Sequence, residues 1–242
     1  MNDASQTAPQ RRRLVCFGDS VTEGVPHCAP QDTFVALLER RLNVRYQDEL
    51  TVSAINAGVG GENTAEGLAR LEPDVLSRKP DLTTVEFGLN DIRHEPEKRI
   101  LEDQFADNLR TIHRLLVAAG SQVVFLTPTP IINTLHPYSL GTDYYQPWGG
   151  CNELNAIYAQ VVRDVAAEVG ATLCDVYATF LRIAIEAEFF GETSDYRDLS
   201  ILGRYISVKD GVHPTAAGQS VMAAALYATI VGGNLLTGGI GR

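Results

Sequence analysis

With 242 residues, 45% of them hydrophobic and 21% charged, the chain has the length and balance of an ordinary globular protein able to bury a core without disulfide or metal staples. Its 30 Asp and Glu outnumber its 20 Lys and Arg, and a net charge of −10 repels phosphate backbones and anionic headgroups, which argues against nucleic acid as a partner. No stretch reaches the roughly 20 apolar residues that span a bilayer, so no membrane span is expected.

Residues 1–12 read as a flexible, polar tail. Arg11-Arg12-Arg13 before Leu14 could be mistaken for a twin-arginine export signal. The apolar run is too short for one, however, and it ends in Gly18-Asp19-Ser20 rather than a cleavage site. A cytoplasmic location is therefore expected. Short apolar runs rich in Val and Leu follow at Leu14–Phe17, Leu50–Asn56, Leu82–Phe87, Gln122–Thr127 and Ala171–Val176. They lack clean alternation, as strands of a parallel sheet do when both faces are covered.

Helical patterns fall between them. Asp32 precedes the stripe Phe34, Val35, Leu37, Leu38 and Leu42, and others run over Thr64–Ser77, Glu97–Ala119 and Asn152–Val169. Gly120 and Gly170 serve as stops, Phe189-Phe190 closes an apolar helix, and a last helix spans Thr215–Val231 after Pro214. Alternating strands and helices predict a three-layer α/β/α domain over residues 13–231, followed by a glycine-rich tail at 232–242.

Two insertions break the rhythm. Residues 130–150 carry Tyr138, Tyr144, Tyr145 and Trp148, and residues 186–209 carry Tyr196 and Tyr205. Such loops act as lids or binding loops, or simply pack their aromatics onto the body. Cys16 and Cys174 sit in strand-like runs and Cys28 and Cys151 in loops, with no C-x-x-C pair, so reduced thiols are expected. His27, His94, His113 and His136 share no ligand spacing and read as surface or loop residues.

Four features carry chemistry. Ser20 follows the first strand, where a parallel sheet presents side chains to the crevice that binds ligands. Asp210-Gly211-Val212-His213-Pro214 places a carboxylate one turn before an imidazole, able to orient it and stabilise its charged form. Gly88-Leu89-Asn90-Asp91 ends the third strand, and the Asn90 amide can donate to a developing oxyanion. Asn56 to Thr64, with Gly58, Gly60 and Gly61, lets a backbone N–H approach a ligand closely. Asp19 is expected to stabilise its turn, and Asp91 to brace the Asn90 loop. Dinucleotide, P-loop, zinc-protease and G-x-S-x-G signatures are missing from the sequence. All four features fall on one predicted rim, and together they supply nucleophile, base, base-orienter and oxyanion donors.

In this combination the chain resembles the SGNH (GDSL-like) hydrolases. The resemblance lies in Gly18-Asp19-Ser20-Val21-Thr22-Glu23-Gly24, in Asn56 to Thr64, in Gly88-Leu89-Asn90-Asp91, in Thr127-Pro128-Thr129-Pro130 and in Asp210-x-x-His213-Pro214. It spans residues 14–231 in the family's order. It implies a flavodoxin-like, mostly parallel five-stranded sheet and a Ser20–His213–Asp210 triad. The oxyanion hole would be built from the Ser20 N–H, the Gly61 N–H (with Gly58 and Gly60 as alternatives) and the Asn90 amide. The implied activity is hydrolysis of carboxylic esters without metal or cofactor, on a small-molecule or carbohydrate acyl ester, with short acyl groups such as acetyl foremost. A lysophospholipase, thioesterase or acyltransferase could use the same groups, and a non-catalytic binding protein could share the fold.

Overall fold

Five strands pair in parallel throughout: β1 (Gln10–Gly18), β2 (Leu50–Gly58), β3 (Leu82–Glu86), β4 (Gln122–Leu126) and β5 (Thr172–Cys174), in the order β2-β1-β3-β4-β5. The computed structural model in which they are seen describes residues 9–193 and 195–237, with Tyr138 as backbone only. Each strand coincides with one of the apolar runs. β1, however, starts at Gln10, within the stretch expected as a tail. Its first residues are polar but find backbone partners on β2, Gln10 opposite Leu50 and Arg12 opposite Val52. Residues 1–8 of that expected tail, and 238–242 of the C-terminal one, lie outside the described residues.

Among the described residues eight α-helices accompany the strands: α1 (Ser20–Glu23), α2 (Phe34–Arg45), α3 (Thr64–Asp74), α4 (Glu102–Ala118), α5 (Pro137–Gly141), α6 (Cys151–Val169), α7 (Val176–Phe189) and α8 (Ala216–Gly232). The pattern predicted α4 from Glu97. The chain before it is held elsewhere, because Ile100 N–H bonds the Asp91 carbonyl at 3.0 Å and the helix begins only after Leu101. Gly170 caps α6 in the left-handed conformation, φ 69°, as its position implied.

Successive side chains on β1 point to opposite faces and enter two cores. Leu14 and Cys16 pack with Leu38, Leu42, Phe180, Met222 and Leu226 of α2, α7 and α8. Val15 and Phe17 pack with Leu71, Phe105, Leu109, Tyr158 and Val162 of α3, α4 and α6. The sheet is thus covered on both sides, and this is why its strands read as continuous apolar runs. Among the described residues no helix is long and apolar enough to cross a membrane.

Because all strands run the same way, their C-terminal ends share one rim. Strand order reverses at β1, whose neighbours are β2 on one side and β3 on the other. Connections leave in opposite directions there and open a crevice, so the segment after β1 lies at its mouth.

Candidate active site

Ser20 is the first residue of α1, directly after β1. The turn is tight because Gly18 carries no side chain: a Cβ there would meet Thr22 Oγ1 at 2.2 Å and the Glu86 carbonyl at 2.5 Å. Asp19 caps the turn, its Oδ1 accepting the Val21 N–H at 2.9 Å. The Arg70 guanidinium lies over the Phe17 ring and donates to the carbonyls of Gly18 and Ala57, both at 2.9 Å, tying the ends of β1 and β2 together beneath the serine.

His213 arrives from the opposite end of the sequence, on the loop before α8. Gly211 makes this loop possible: its φ is 69°, and a Cβ would lie 2.7 Å from the Ile132 carbonyl. His213 Nε2 is 3.0 Å from Ser20 Oγ, and its Nδ1 is 3.3 Å from Asp210 Oδ2. Burial opposes ionisation of Asp210. Even so, the N–H groups of His213 and Val212, each 2.9 Å from Oδ1, together with the His213 ring, hold its carboxyl below the ordinary value.

Asn90, on the loop after β3, donates its amide to Asp19 Oδ2 at 3.1 Å. Asp19 therefore stabilises its own turn, as the sequence implied, and also aims the Asn90 amide. Asp91 braces the same loop by accepting the Thr64 N–H at 3.0 Å, with the Thr64 hydroxyl on the same oxygen. Gly61 adopts φ 81°, and a Cβ on Gly60 would stand 3.7 Å from Ser20 Cβ. Ser20, Gly61, Asn90, Asp210 and His213 all line one cleft of about 510 Å³, a volume suited to a small ligand. Gly60 lines it too, whereas Gly58 does not. Gly58 instead packs against α1, where a Cβ would meet Glu23 N at 2.1 Å.

Beneath the cleft three carboxyl groups, Asp19, Glu86 and Asp91, are fully buried. Glu86 Oε2 accepts from the Thr22 hydroxyl at 3.1 Å. Burial pushes all three upward, Asp19 to about 7 and Asp91 to about 6, and the charge of Asp19 raises Glu86 further, as that of Asp91 raises Asp19.

Several cleft residues carried no signal in the sequence. His27, read as a surface or loop residue, does lie on the exposed turn after α1, and there it stacks flat on His213 with ring centroids 3.5 Å apart and planes 6° from parallel. Its Nδ1 is 3.9 Å from Asp210 Oδ2. Burial, then the neighbouring His213, lowers its proton affinity. His136, read the same way, lies on the loop that caps α5 but is buried beside the cleft, and burial pushes it down to about 4. Glu23 and Arg93 stand on either side of the Gly60-Gly61 turn. The 130–150 insertion contributes His136, Pro137 and Tyr145 to the lining, whereas its Tyr144 and Trp148 pack around Arg99. From the 186–209 insertion, Tyr196 and Tyr205 pack on the core. All four cysteines are free thiols.

His27, Asp210 and His213 form a group whose nitrogen and oxygen atoms lie within 4.8 Å of one another, the spacing of a metal cluster. The two rings, however, are stacked, so their in-plane lone pairs run side by side and do not converge on the single point that tetrahedral ligation demands. The arrangement suits proton handling: a hydroxyl, an imidazole and a carboxylate in line, with polarised N–H groups nearby.

Comparison with known proteins bears on this cleft. The GDSL-like Lipase/Acylhydrolase family matches the chain over residues 16–221. The uncharacterized lipoprotein YqeF of Bacillus subtilis (strain 168) is 27% identical over 183 residues, 69% of this chain and 72% of that protein. An acetylxylan esterase of Geobacillus stearothermophilus is 25% identical over 233 residues, 90% of this chain and 93% of its own. The crystal structure of Axe2, an acetylxylan esterase from the same organism, superposes with a TM-score of 0.68 at 22% identity, covering 92% of this chain and 95% of that one. At that identity the likeness speaks to the fold.

Proposed function

The chain belongs to the GDSL-like lipase/acylhydrolase family, and from that premise we propose that it hydrolyses carboxylic esters by acyl transfer through Ser20. One observation carries the reading: Ser20 Oγ lies 3.0 Å from His213 Nε2 in a cleft that also holds Asn90 and Gly61. His213 takes the Ser20 proton as Oγ attacks the ester carbonyl, and Asp210 orients the ring and offsets its charge. The tetrahedral oxyanion is held by the N–H groups of Ser20 and Gly61 and by the Asn90 amide. His213 then returns its proton to the departing alcohol. A water molecule, deprotonated by the same ring, releases the acyl group from Ser20.

Short acyl groups such as acetyl, carried on a carbohydrate or another polar alcohol, are the substrate class we favour. The cleft is small, and the relatives that cover nearly the whole chain include an acetylxylan esterase. Hydrolysis of p-nitrophenyl acetate, butyrate and octanoate tests the reading. Acetate should be the best of the three, and Ser20→Ala should abolish turnover of each. Asn90→Ala should lower kcat by about 10²–10³, the effect of one oxyanion donor. A Ser20→Ala protein as fast as wild type would overturn the assignment.

A further inference from the structure

Arg93 is the only Lys or Arg among the described residues lining the cleft. It follows Asn90-Asp91-Ile92, and this loop is rigid: Asp91 and Ile92 are buried, and Asp91 is bonded to Thr64. The guanidinium is held against the turn that faces Ser20, where a Cβ on Gly61 would lie 3.5 Å from Arg93 Nη2. Arg93 is half-buried, yet among the described residues no carboxylate comes within 4.0 Å of it. Among the described residues every other half-buried arginine has a partner: Arg41 donates to the Ser220 carbonyl and hydroxyl, and the rest meet carboxylates, Arg12 on Asp81 and Arg110 on Asp107 and Glu168 among them. Arg70 is paired with Glu62 and Asp74, Arg99 with Glu102, and Arg163 with Asp175. A partly desolvated guanidinium with its fork unfilled is a receptor for an anion.

We propose that Arg93 receives a carboxylate carried by the substrate, so that the preferred esters bear a carboxylate beside the scissile bond. The proposal rests on the esterase reading of Ser20 and adds the charge of the substrate to it. Charge favours a carboxylate over a phosphate dianion. The fork of one guanidinium matches two carboxylate oxygens. Glu23, whose Oε2 would lie 2.8 Å from a Cβ on Gly60, places a negative charge across the turn and disfavours a dianion. Glu23 also repels the carboxylate from its own wall and so fixes which way round the ester lies. In a chain of net charge −10, this local cation is what admits an anionic substrate.

Two isosteric pairs test the charge and locate it. 4-Acetoxybenzoate against 4-acetoxybenzamide places the carboxylate on the alcohol part, and monoethyl adipate against ethyl adipamate places it on the acyl part. In at least one pair wild type should favour the carboxylate by about 10-fold or more in kcat/KM, the range of a charge-assisted hydrogen bond. Arg93→Gln should collapse that ratio toward unity, and Arg93→Lys, which keeps the charge without the fork, should restore part of it. A wild type that favours the amide member of both pairs, or an Arg93→Gln ratio equal to wild type, would overturn the proposal. Binding provides a readout independent of turnover. Ser20→Ala titrated with whichever carboxylate ester the pairs select, or with both if none reacts, should bind at least about 10-fold tighter than Ser20→Ala/Arg93→Gln. Equal affinities would overturn the role of Arg93. Failure of wild type on all four esters would count against the hydrolase reading, and this titration would still decide the arginine.

Discussion

His27 lies face to face with the imidazole that we assign as the base, and the two rings share the Asp210 carboxylate. Burial, then the neighbouring His213, lowers the proton affinity of His27, which favours a neutral ring whose π-face meets the imidazolium. Glu23 and Asp210 act on His27 in the opposite sense but do not prevail. An aromatic stack is worth about 0.5–1.5 kcal/mol, so His27→Ala should lower kcat/KM on p-nitrophenyl acetate by about 2–12-fold. His27→Phe should recover most of that loss, and a Phe variant no better than Ala would remove stacking from the account. Ser20, Asn90, Asp210 and His213 were legible in the sequence because each sits in a short motif beside a strand end or helix start. His27 and Arg93 were not. Each meets its partners across the fold, and a lone His or Arg in a loop has no local pattern to betray it.

The contact between α1 and β2 sets where the serine stands. Gly58 closes β2 against the Glu23 backbone, and an added Cβ would push the whole turn outward, because the atoms it meets cannot rotate away. Gly58→Ala should therefore cost about 1–3 kcal/mol of stability, roughly 2–12 °C in Tm for a chain of this size, and lower kcat as well. Gly141→Ala, with nothing within 4 Å of the new methyl group, serves as the control and should change neither. Melting followed by circular dichroism, together with initial rates, checks both variants. All five strands were legible because a strand buried on two faces must be apolar along its length. Two details escaped for opposite reasons. The Gln10–Arg12 extension of β1 is held by backbone pairing that polar side chains conceal, and α1, at four residues, is too short to show a helical period.

Across the molecule, Asp19, Glu86 and Asp91 form an acidic layer between the sheet and the cleft. A carboxyl raised on folding binds its proton more tightly in the native state. Stability is therefore greatest below the unfolded value of about 4 and falls as pH rises toward the folded one. His136 and His27, lowered on folding, act in the opposite direction over the range up to about 6.5, so the wild-type curve alone is ambiguous. Comparison with Glu86→Gln, which keeps the shape and removes the charge, isolates the acids. The variant's Tm advantage should grow between pH 5 and pH 8, by about 2 °C or more for each kcal/mol. An advantage independent of pH would show that Glu86 does not titrate in this range.

The far rim of the sheet has a practical meaning of its own. Gln10 opens β1 beside Leu50, and Arg12 donates to the Leu236 carbonyl at 3.0 Å, so the first strand and the last described turn meet at the base, opposite the cleft. A support or fusion partner joined at Gln10 or Leu236 would therefore grip the protein at the rim opposite the cleft, with the mouth facing away from it.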